Sequence, residues 1–233
     1  MPDAVFVLTC DQRGSRRSTD AVPGALSALS AQPGGTAAPT RVVAAPILKA
    51  ERTAGDEIQF AYDDPTGVVW AVETLTRLGD WRIGVGIGDV EHPLPDSTRA
   101  ARGAAFIAAR EAVERARLNA AQLAVRAAPA GGSEDDSAGR KAVGTPEYRR
   151  LRPADAAEHA LTLLVATLAR RTTAGWEIVV LLDEGLNGRQ AAERLGISES
   201  AVSQRVARAA HEEGERARAL SLHLLDLAAQ ELS

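Results

Sequence analysis

The sequence predicts an α+β protein with two domains joined by a linker. Strand-like and helical segments alternate over residues 1–127, residues 128–150 are rich in Gly, Ser, Asp and Pro, and residues 151–233 contain only helical patterns. Alternation of this kind is typical of a sheet crossed by helices, and the helical part is typical of an all-α domain. We therefore expect an N-terminal domain of ferredoxin-like or palm type, a flexible linker and a C-terminal helical domain.

Five strands and three helices are predicted in the N-terminal part. The strands are expected at residues 4–10, 41–51, 57–62, 81–90 and 122–127. The helices are expected at residues 22–29, at 65–78 with Asp63 or Asp64 as the cap, and from a cap at Ser97 or Thr98 to residue 118. This order predicts an antiparallel sheet with its helices on one face, the last strand lying at an edge. Glycines at 84, 86 and 88 alternate with apolar residues, so another backbone or a ligand should come close on one face.

The C-terminal part reads as helices at residues 153–170, 174–184 and 215–232, with a fourth and fifth helix between the last two. Leucines crowd the first and the last of these helices more densely than a small helical domain needs for its own core. This density predicts that the same helices also form the interface of a homodimer.

Residues 188–208, GRQAAERLGISESAVSQRVAR, have the pattern of two short helices joined by a tight turn. Ala192 is small enough to let the helices cross closely, and Gly196 can end the first one in a left-handed conformation. Ser198 or Ser200 would then cap the second helix. The pattern resembles the helix-turn-helix of phage repressors and of the C-terminal domain of sigma factors. An ordinary helical hairpin is the structural alternative.

The second helix of this pair is predicted to enter the major groove of double-stranded DNA. Val202 and Val206 recur at i and i+4 and should face inward, which leaves the polar side chains outside. Arg binds guanine and Gln binds adenine through two hydrogen bonds, and Ser reaches a base or a phosphate. The predicted DNA-binding residues are Ser198, Ser200, Ser203, Gln204 and Arg208, with Arg189 and Arg205 as candidates for phosphate contacts.

Charge limits how tightly one copy of the chain could bind DNA. The net charge of the 233 residues is −4, and the arginines between residues 186 and 218 are nearly balanced by glutamates. Phosphate neutralisation supplies most non-specific affinity, so we expect a dimer that presents two recognition helices to DNA.

Neither a signal peptide nor an apolar run of about 20 residues is recognisable, which predicts a cytoplasmic protein without a membrane partner. The single cysteine, Cys10, is expected in the core.

Two aspartates are expected side by side in the sheet, Asp11 at the end of the first strand and Asp56 at the tip of a hairpin. Paired carboxylates can bind Mg²⁺ and, through it, a triphosphate. Aspartate also commonly ends strands and opens turns, so a structural role is the alternative.

The residues around Asp56 resemble known nucleotide-binding motifs. The segment 52–58, RTAGDEI, resembles the Arg-x-Gly-Gly-Asp-Glu-Phe signature of diguanylate cyclases and the Gly-Asp hairpin of class III nucleotide cyclases. Segment 83–88, IGVGIG, is similar to their Gly-Ile-Gly strand. Taken together, residues 4–127 resemble the SatD family, whose members carry a cyclase-like domain, in actinobacteria followed by a sigma-factor-like helix-turn-helix.

This resemblance implies roles for individual residues. Asp11 and Asp56 would hold metal, Arg52 would contact a base or phosphate, and Arg110 would stabilise charge. Glu57 would be either catalytic or a solvated hairpin residue. The chain departs from the families at Ala54, which replaces the first glycine of the diguanylate cyclase motif, and no asparagine accompanies the arginine of the helix after Gly103.

Three functions therefore stay open at the level of sequence. The first is a dimeric, DNA-binding transcription regulator whose cyclase-like domain senses a nucleotide or metal or holds the dimer together. The second is a Mg²⁺-dependent enzyme that acts on nucleoside triphosphates. The third is a helical module that binds a protein of the transcription machinery. We expect the regulator rather than the enzyme.

Overall fold

A computed structural model describes residues 4–15, 17–31, 42–128 and 151–232, and these ranges contain five strands and eight helices. From residue 129 onward, the predicted linker lies outside the described residues. The strands are β1 (Val5–Gln12), β2 (Leu48–Ala54), β3 (Glu57–Tyr62), β4 (Trp81–Gly88) and β5 (Leu123–Ala127). The helices are α1 (Val22–Ser30), α2 (Pro65–Leu78), α3 (Ala104–Ala116), α4 (Pro153–Leu168), α5 (Thr173–Asp183), α6 (Gly188–Leu195), α7 (Glu199–Arg208) and α8 (His211–Gln230).

The five strands form one mixed sheet in the order β2-β3-β1-β4-β5. β1 is antiparallel to both β3 and β4, and β2 is antiparallel to β3, as expected. β5 lies at the edge, also as expected, but it runs parallel to β4. The prediction of a wholly antiparallel sheet was wrong at this strand, because α3 carries the chain back across the sheet before β5 begins.

Helices cover both faces of the sheet, which corrects the prediction of a single covered face. Phe6 and Leu8 point to the side that packs on α1 and α2, whereas Val5 and Val7 point to the side that packs on α3. The predicted close approach at the glycines is made by α3. A Cβ on Gly84 would stand 2.3 Å from the backbone nitrogen of Val113, and one on Gly86 would stand 2.2 Å from the backbone of Ala105 and Ala109.

The loop before α3 differs from the sequence prediction. α3 begins at Ala104, and Gly103 precedes it with φ 134°, so neither Ser97 nor Thr98 caps the helix. Both hydroxyl groups instead donate hydrogen bonds to the carboxylate of Glu51 on β2, at 2.6 and 2.5 Å. A partner 46 or 47 residues away in the chain thus replaced the local cap. The other predicted cap is confirmed at Asp64, whose carboxylate accepts from the Thr66 amide.

Two of the C-terminal helices complete the core of the sheet. Leu161, Leu164 and Leu168 of α4 and Leu225 of α8 belong to the same buried cluster as the residues of β1 that face α1 and α2. This packing accounts for much of the leucine density that had suggested a dimer interface. The leucines that remain exposed on α4 and α8 are Leu163, Leu220 and Leu227. The division into domains at residues 127 and 151 stays a prediction.

Helices α5, α6 and α7 have a small core of their own. Its buried members are Ile178, Val179, Leu181, Ala191, Ala192, Val202 and Ala209, with Leu195, Ile197 and Val206 partly buried against them. These three helices therefore form a compact unit, which contacts α8 through α7. No described helix is both long and apolar enough to span a bilayer.

Candidate nucleic-acid interface and the charged cluster on the sheet

Local hydrogen bonds define the start of α6. The side chain of Asn187 accepts a hydrogen bond from the backbone amide of Gln190 at 3.0 Å. The side chain of Gln190 in turn accepts one from the amide of Asn187 at 2.9 Å. This reciprocal pair is a capping box, which satisfies amide donors that the first helical turn leaves free. The sequence prediction placed no cap here.

The turn between α6 and α7 has the predicted left-handed residue. Gly196 has φ 64° and ψ 34°, a conformation that costs a residue with a side chain about 1–2 kcal/mol. The amide of Ile197 donates to the carbonyl oxygen of Ala192 at 3.1 Å. Of the two serines considered as a cap for α7, Ser198 fills the role, since its Oγ accepts from the amide of Ala201. α6 and α7 are therefore a helix-turn-helix.

The buried and the exposed residues of α7 lie on the faces that the sequence predicted. Val202 is buried with 3% of its surface exposed, and Val206 is partly buried against α5 and α6. The predicted DNA-binding residues Ser198, Ser200, Ser203, Gln204 and Arg208 are all exposed. Their contact with DNA stays a prediction.

The exposed polar residues of α7 differ in their partners. Ser203 donates a hydrogen bond back to the carbonyl oxygen of Glu199, and the hydroxyls of Ser198 and Ser200 lie 2.9 Å apart. Gln204 and Arg208 form no side-chain hydrogen bond or ion pair with any residue in the described ranges. Both side chains are thus available to another molecule without the loss of an internal contact.

The two arginines predicted for phosphate contacts are each paired with a glutamate. Arg205 on α7 lies 3.3 Å from Glu177 on α5, and Arg189 lies 3.5 Å from Glu193 one turn later in α6. Arg189 and its partner are strongly exposed, so their pair is worth little. Arg205 is less exposed, at 32%, and its pair holds the guanidinium beside the helix core.

Arg171 holds the junction that follows α7. Its Nε donates to the carbonyl oxygen of Ala209 at 2.8 Å, and its guanidinium lies over the ring of Trp176 at 4.9 Å. The next residue, Ala210, has φ 47°, an unusual conformation for alanine. Gly214 makes room for the guanidinium, because a Cβ there would stand 2.5 Å from it. Arg171 therefore helps fix the junction at which α7 ends, and no local sequence pattern indicated this role.

Trp176 also connects α5 to α2. The guanidinium of Arg77, at the end of α2, lies 5.4 Å from the centre of its ring. A groove of about 640 Å³ opens beside this contact, lined by Arg77, Thr173, Trp176, Glu177, Val180, Leu181, Arg194 and Leu195. Glu177 therefore lines the groove and also pairs with Arg205 of α7.

On the sheet, Asp11 and the hairpin tip are neighbours, as the sequence predicted. Asp11 is paired in register with Glu57 on one side and with Arg82 on the other. The amide of Gln12 donates to the carbonyl oxygen of Asp56 at 3.1 Å. Asp11 lies inside β1 rather than at its end, because the strand continues to Gln12.

Arginines neutralise the carboxylates of this cluster. Arg117, just after α3, donates to Asp11 at 3.0 Å, and Arg82 lies 3.8 Å from the same carboxylate. The hydrogen bond to Asp11 is the main reason that the pKa of Arg117 is raised above its ordinary value. Arg110 forms an ion pair with Glu57. The sequence prediction had not included Arg82 or Arg117, because only the folded sheet brings them to Asp11.

This arrangement supports a self-neutralised ion cluster better than a resident Mg²⁺. Magnesium prefers six oxygen ligands at short distances, whereas Asp11 has two guanidinium groups within ion-pair range. Glu57 is 8% exposed and accepts a hydrogen bond from Thr53 at 2.6 Å, so it is not a solvated hairpin residue. Arg52 pairs with Asp20 at 2.5 Å. The metal, catalytic and nucleotide-binding roles of these residues stay predictions.

Comparison with known proteins matches the C-terminal part of the chain. A family model described as a homeodomain-like domain matches residues 176–219, which run from α5 into α8. No curated protein and no solved structure matches the chain. The match covers the helix-turn-helix described above and thus supports DNA binding by this unit.

Proposed function

We propose that this protein is a transcription regulator that inserts α7 into the major groove of DNA. The observation that carries the proposal is the state of Gln204 and Arg208. Both are exposed on the side of α7 away from Val202, and neither has a partner in the described ranges. Their side chains suit bidentate contacts with adenine and guanine.

The charge on the helix-turn-helix supports binding as a homodimer. Of the arginines in α6 and α7, Arg189 and Arg205 are paired with glutamates, which leaves Arg194 and Arg208 without an ion pair among the described residues. So few available cations give one copy little non-specific affinity. Two copies would double the contacts and fix the spacing of two half-sites. Exposed leucines on α4 and α8 offer apolar surface for such an association.

In this proposal the sheet domain, residues 1–127, either senses a ligand or holds the dimer together. Its core is continuous with α4 and α8, and Arg77 of α2 contacts Trp176 of α5. A ligand that shifted α2 would therefore act on helices next to the recognition helix. We propose a nucleotide as that ligand on the resemblance of residues 4–127 to the SatD family.

A second candidate is an enzyme that acts on nucleoside triphosphates, and the placement of Asp11 beside the Asp56 hairpin favours it. The arginines around Asp11 oppose it. Incubation of the pure protein with each triphosphate and Mg²⁺ or Mn²⁺ tests this function. Product formed by the wild type but not by Asp56→Ala would establish it, and product formed equally by both would exclude this site.

DNA binding is tested by selecting duplexes from a random pool and measuring affinity for the selected sequence. We expect Gln204→Ala and Arg208→Ala each to weaken specific binding by about 1–3 kcal/mol, roughly 5- to 150-fold. Arg216→Ala is the matched control, since Arg216 is an exposed arginine of α8 that pairs with Glu212 outside the recognition helix. Failure to select any sequence, or equal affinity of Arg208→Ala and Arg216→Ala, would contradict the proposal.

A further inference from the structure

Three potential metal ligands meet where α5 ends and α8 begins. Asp183 is the last residue of α5, His211 is the first residue of α8, and Glu215 follows one turn later. One ligand atom from each lies within 4.8 Å of the other two. No other group of three His, Cys, Asp or Glu side chains in the described ranges is this compact. His211 and Glu215 share a helix face because they are four residues apart.

His211 supplies a second, independent observation. Its Nδ1 has almost no accessible surface and no hydrogen-bond partner among the residues that the structure describes. Buried polar atoms are nearly always satisfied, so an orphaned one calls for an explanation. In metal-binding histidines one ring nitrogen binds the ion and the other donates to an acceptor. His211 therefore combines an unpartnered ring nitrogen with a place in a cluster of two carboxylates, an arrangement that a bound cation would explain.

We propose that Asp183, His211 and Glu215 bind one divalent transition-metal ion of the Zn²⁺ or Mn²⁺ type. One imidazole nitrogen with two carboxylate oxygens suits these ions, whereas Mg²⁺ and Ca²⁺ take oxygen ligands. Ligands about 2.1 Å from a tetrahedral ion stand about 3.4 Å apart, so the side chains need only close slightly. Three protein ligands leave a position for water.

The ion competes with other interactions of the same side chains, which weakens its binding. Glu215 lies 3.7 Å from Nε of Arg218, and Asp183 and Glu215 each have a further interaction within the protein. Binding must weaken these contacts before it stabilises the site. This requirement favours a metal that is sensed over one that is permanently held.

The position of the site gives the ion a regulatory role. α6 and α7 lie in the chain between Asp183 and His211, and α7 ends three residues before His211. An ion bound by these ligands joins the end of α5 to the start of α8, on either side of α6 and α7. It thereby also fixes the end of α7, which Arg171 holds as well. Metal occupancy should then raise affinity for DNA. This last consequence rests on the proposed function, whereas metal binding itself does not.

The test uses the full chain, stripped with a chelator and titrated with Zn²⁺ and, separately, with Mn²⁺ by calorimetry. We expect one ion per chain. At a free Zn²⁺ concentration about 100 times Kd, thermal unfolding should shift upward by about 5–10 °C. Mg²⁺ at the same concentration should produce no shift.

Two ligand variants and one control show where the ion binds. His211→Gln and Asp183→Asn should each weaken Zn²⁺ binding at least tenfold, since even the loss of an outer partner of a ligand costs about 10- to 100-fold. His223→Gln is the control, because His223 is an exposed histidine of α8 outside the cluster. If His211→Gln loses helical circular dichroism, the variant is unfolded, and the Zn²⁺ affinity of Asp183→Asn alone tests the site.

Absence of Zn²⁺ and Mn²⁺ binding by the wild type would overturn the inference, as would equal affinity in Asp183→Asn and His223→Gln. DNA binding that persists without any metal effect would remove only the regulatory role. Metal binding without DNA binding would refute the proposed function and leave the site in place.

Discussion

At the scale of single residues, two of the four arginines of the helix-turn-helix are held by neighbouring glutamates. Arg205 is a predicted phosphate contact, yet Glu177 of α5 holds its guanidinium at 3.3 Å. A phosphate group would have to compete with this carboxylate. Glu177 also lines the groove beside Trp176, so anything bound in that groove would act directly on the pair.

Removal of the Glu177 charge should therefore strengthen DNA binding. We expect Glu177→Gln to raise affinity for non-specific duplex several-fold, and to steepen the dependence of log K on log salt concentration by about 1, because one more arginine reaches phosphate. Glu213→Gln, which removes an exposed carboxylate of α8, is the control for net charge. An equal rise in both variants would mean that net charge, and not the release of Arg205, is responsible.

Glu51 is a second residue whose charge has a defined role. Burial alone would raise the pKa of Glu51, but hydrogen bonds from Ser97, Thr98 and the Arg99 amide lower it below its usual 4.5. A lowered pKa in the folded state means that the charged form stabilises the fold. That stabilisation is complete above the pKa of the unfolded chain and is lost as pH falls through the folded value.

Glu51→Gln should accordingly reduce the free energy of unfolding at pH 7 by about 1 kcal/mol, a value discounted for partial exposure. The difference from wild type should shrink as pH falls below the usual pKa of 4.5 and disappear once pH is below the folded-state pKa of Glu51. Urea unfolding at several pH values measures both effects, and Glu91→Gln is the control, because Glu91 is an exposed glutamate of the segment between β4 and α3. A difference that does not shrink at acid pH would show that the charge of Glu51 is not the cause.

At the scale of secondary-structure elements, α3 and β4 lie in backbone contact at Gly84 and Gly86. We expect Gly86→Ala to destabilise the protein by about 3 kcal/mol or more, since its methyl group would meet the backbone of α3. Gly24→Ala is the matched control, because a Cβ placed there meets no atom of another described element within 4 Å. It should leave stability unchanged or raise it by up to about 1 kcal/mol. Chemical denaturation compares the two, and equal stabilities would contradict this contact.

Elements governed by local patterns were predictable from the sequence. The i, i+4 spacing of Val202 and Val206, the left-handed turn at Gly196 and the cap at Asp64 each depend on residues within one or two helical turns. Elements governed by distant partners were not. The parallel direction of β5 and the position of α3 on the second face depend on how the chain crosses the sheet, which no short window of sequence records.

The candidate site followed the same division. Exposure of Gln204 and Arg208 could be predicted, because it follows from the buried face of their own helix. The roles of Arg82, Arg117, Arg171 and Glu177 could not, because each depends on a partner in another element. The sequence showed that α4 and α8 have more leucines than their own packing needs. It could not show whether those leucines pack on a partner subunit or on the sheet of the same chain.

At the scale of the whole molecule, the helix-turn-helix is attached to the sheet through α4 and α8. These helices bury leucines against the same core as β1 and α2. We expect a fragment of residues 151–233 to lack cooperative thermal unfolding, because those leucines would be exposed to water. Circular dichroism of the fragment and of the full chain measures this. A fragment that melts cooperatively within a few degrees of the full chain would show that the helical part folds independently.

The proposed reading of base pairs by α7 in the major groove is tested most directly by a cycle of protein and DNA substitutions. Each base pair of the selected duplex is changed in turn, and affinity is measured for the wild type and for Arg208→Ala. We predict one position at which the change costs the wild type about 1–3 kcal/mol and costs Arg208→Ala almost nothing. Identical penalties for the two proteins at every position would show that Arg208 contacts no base, and would contradict the account.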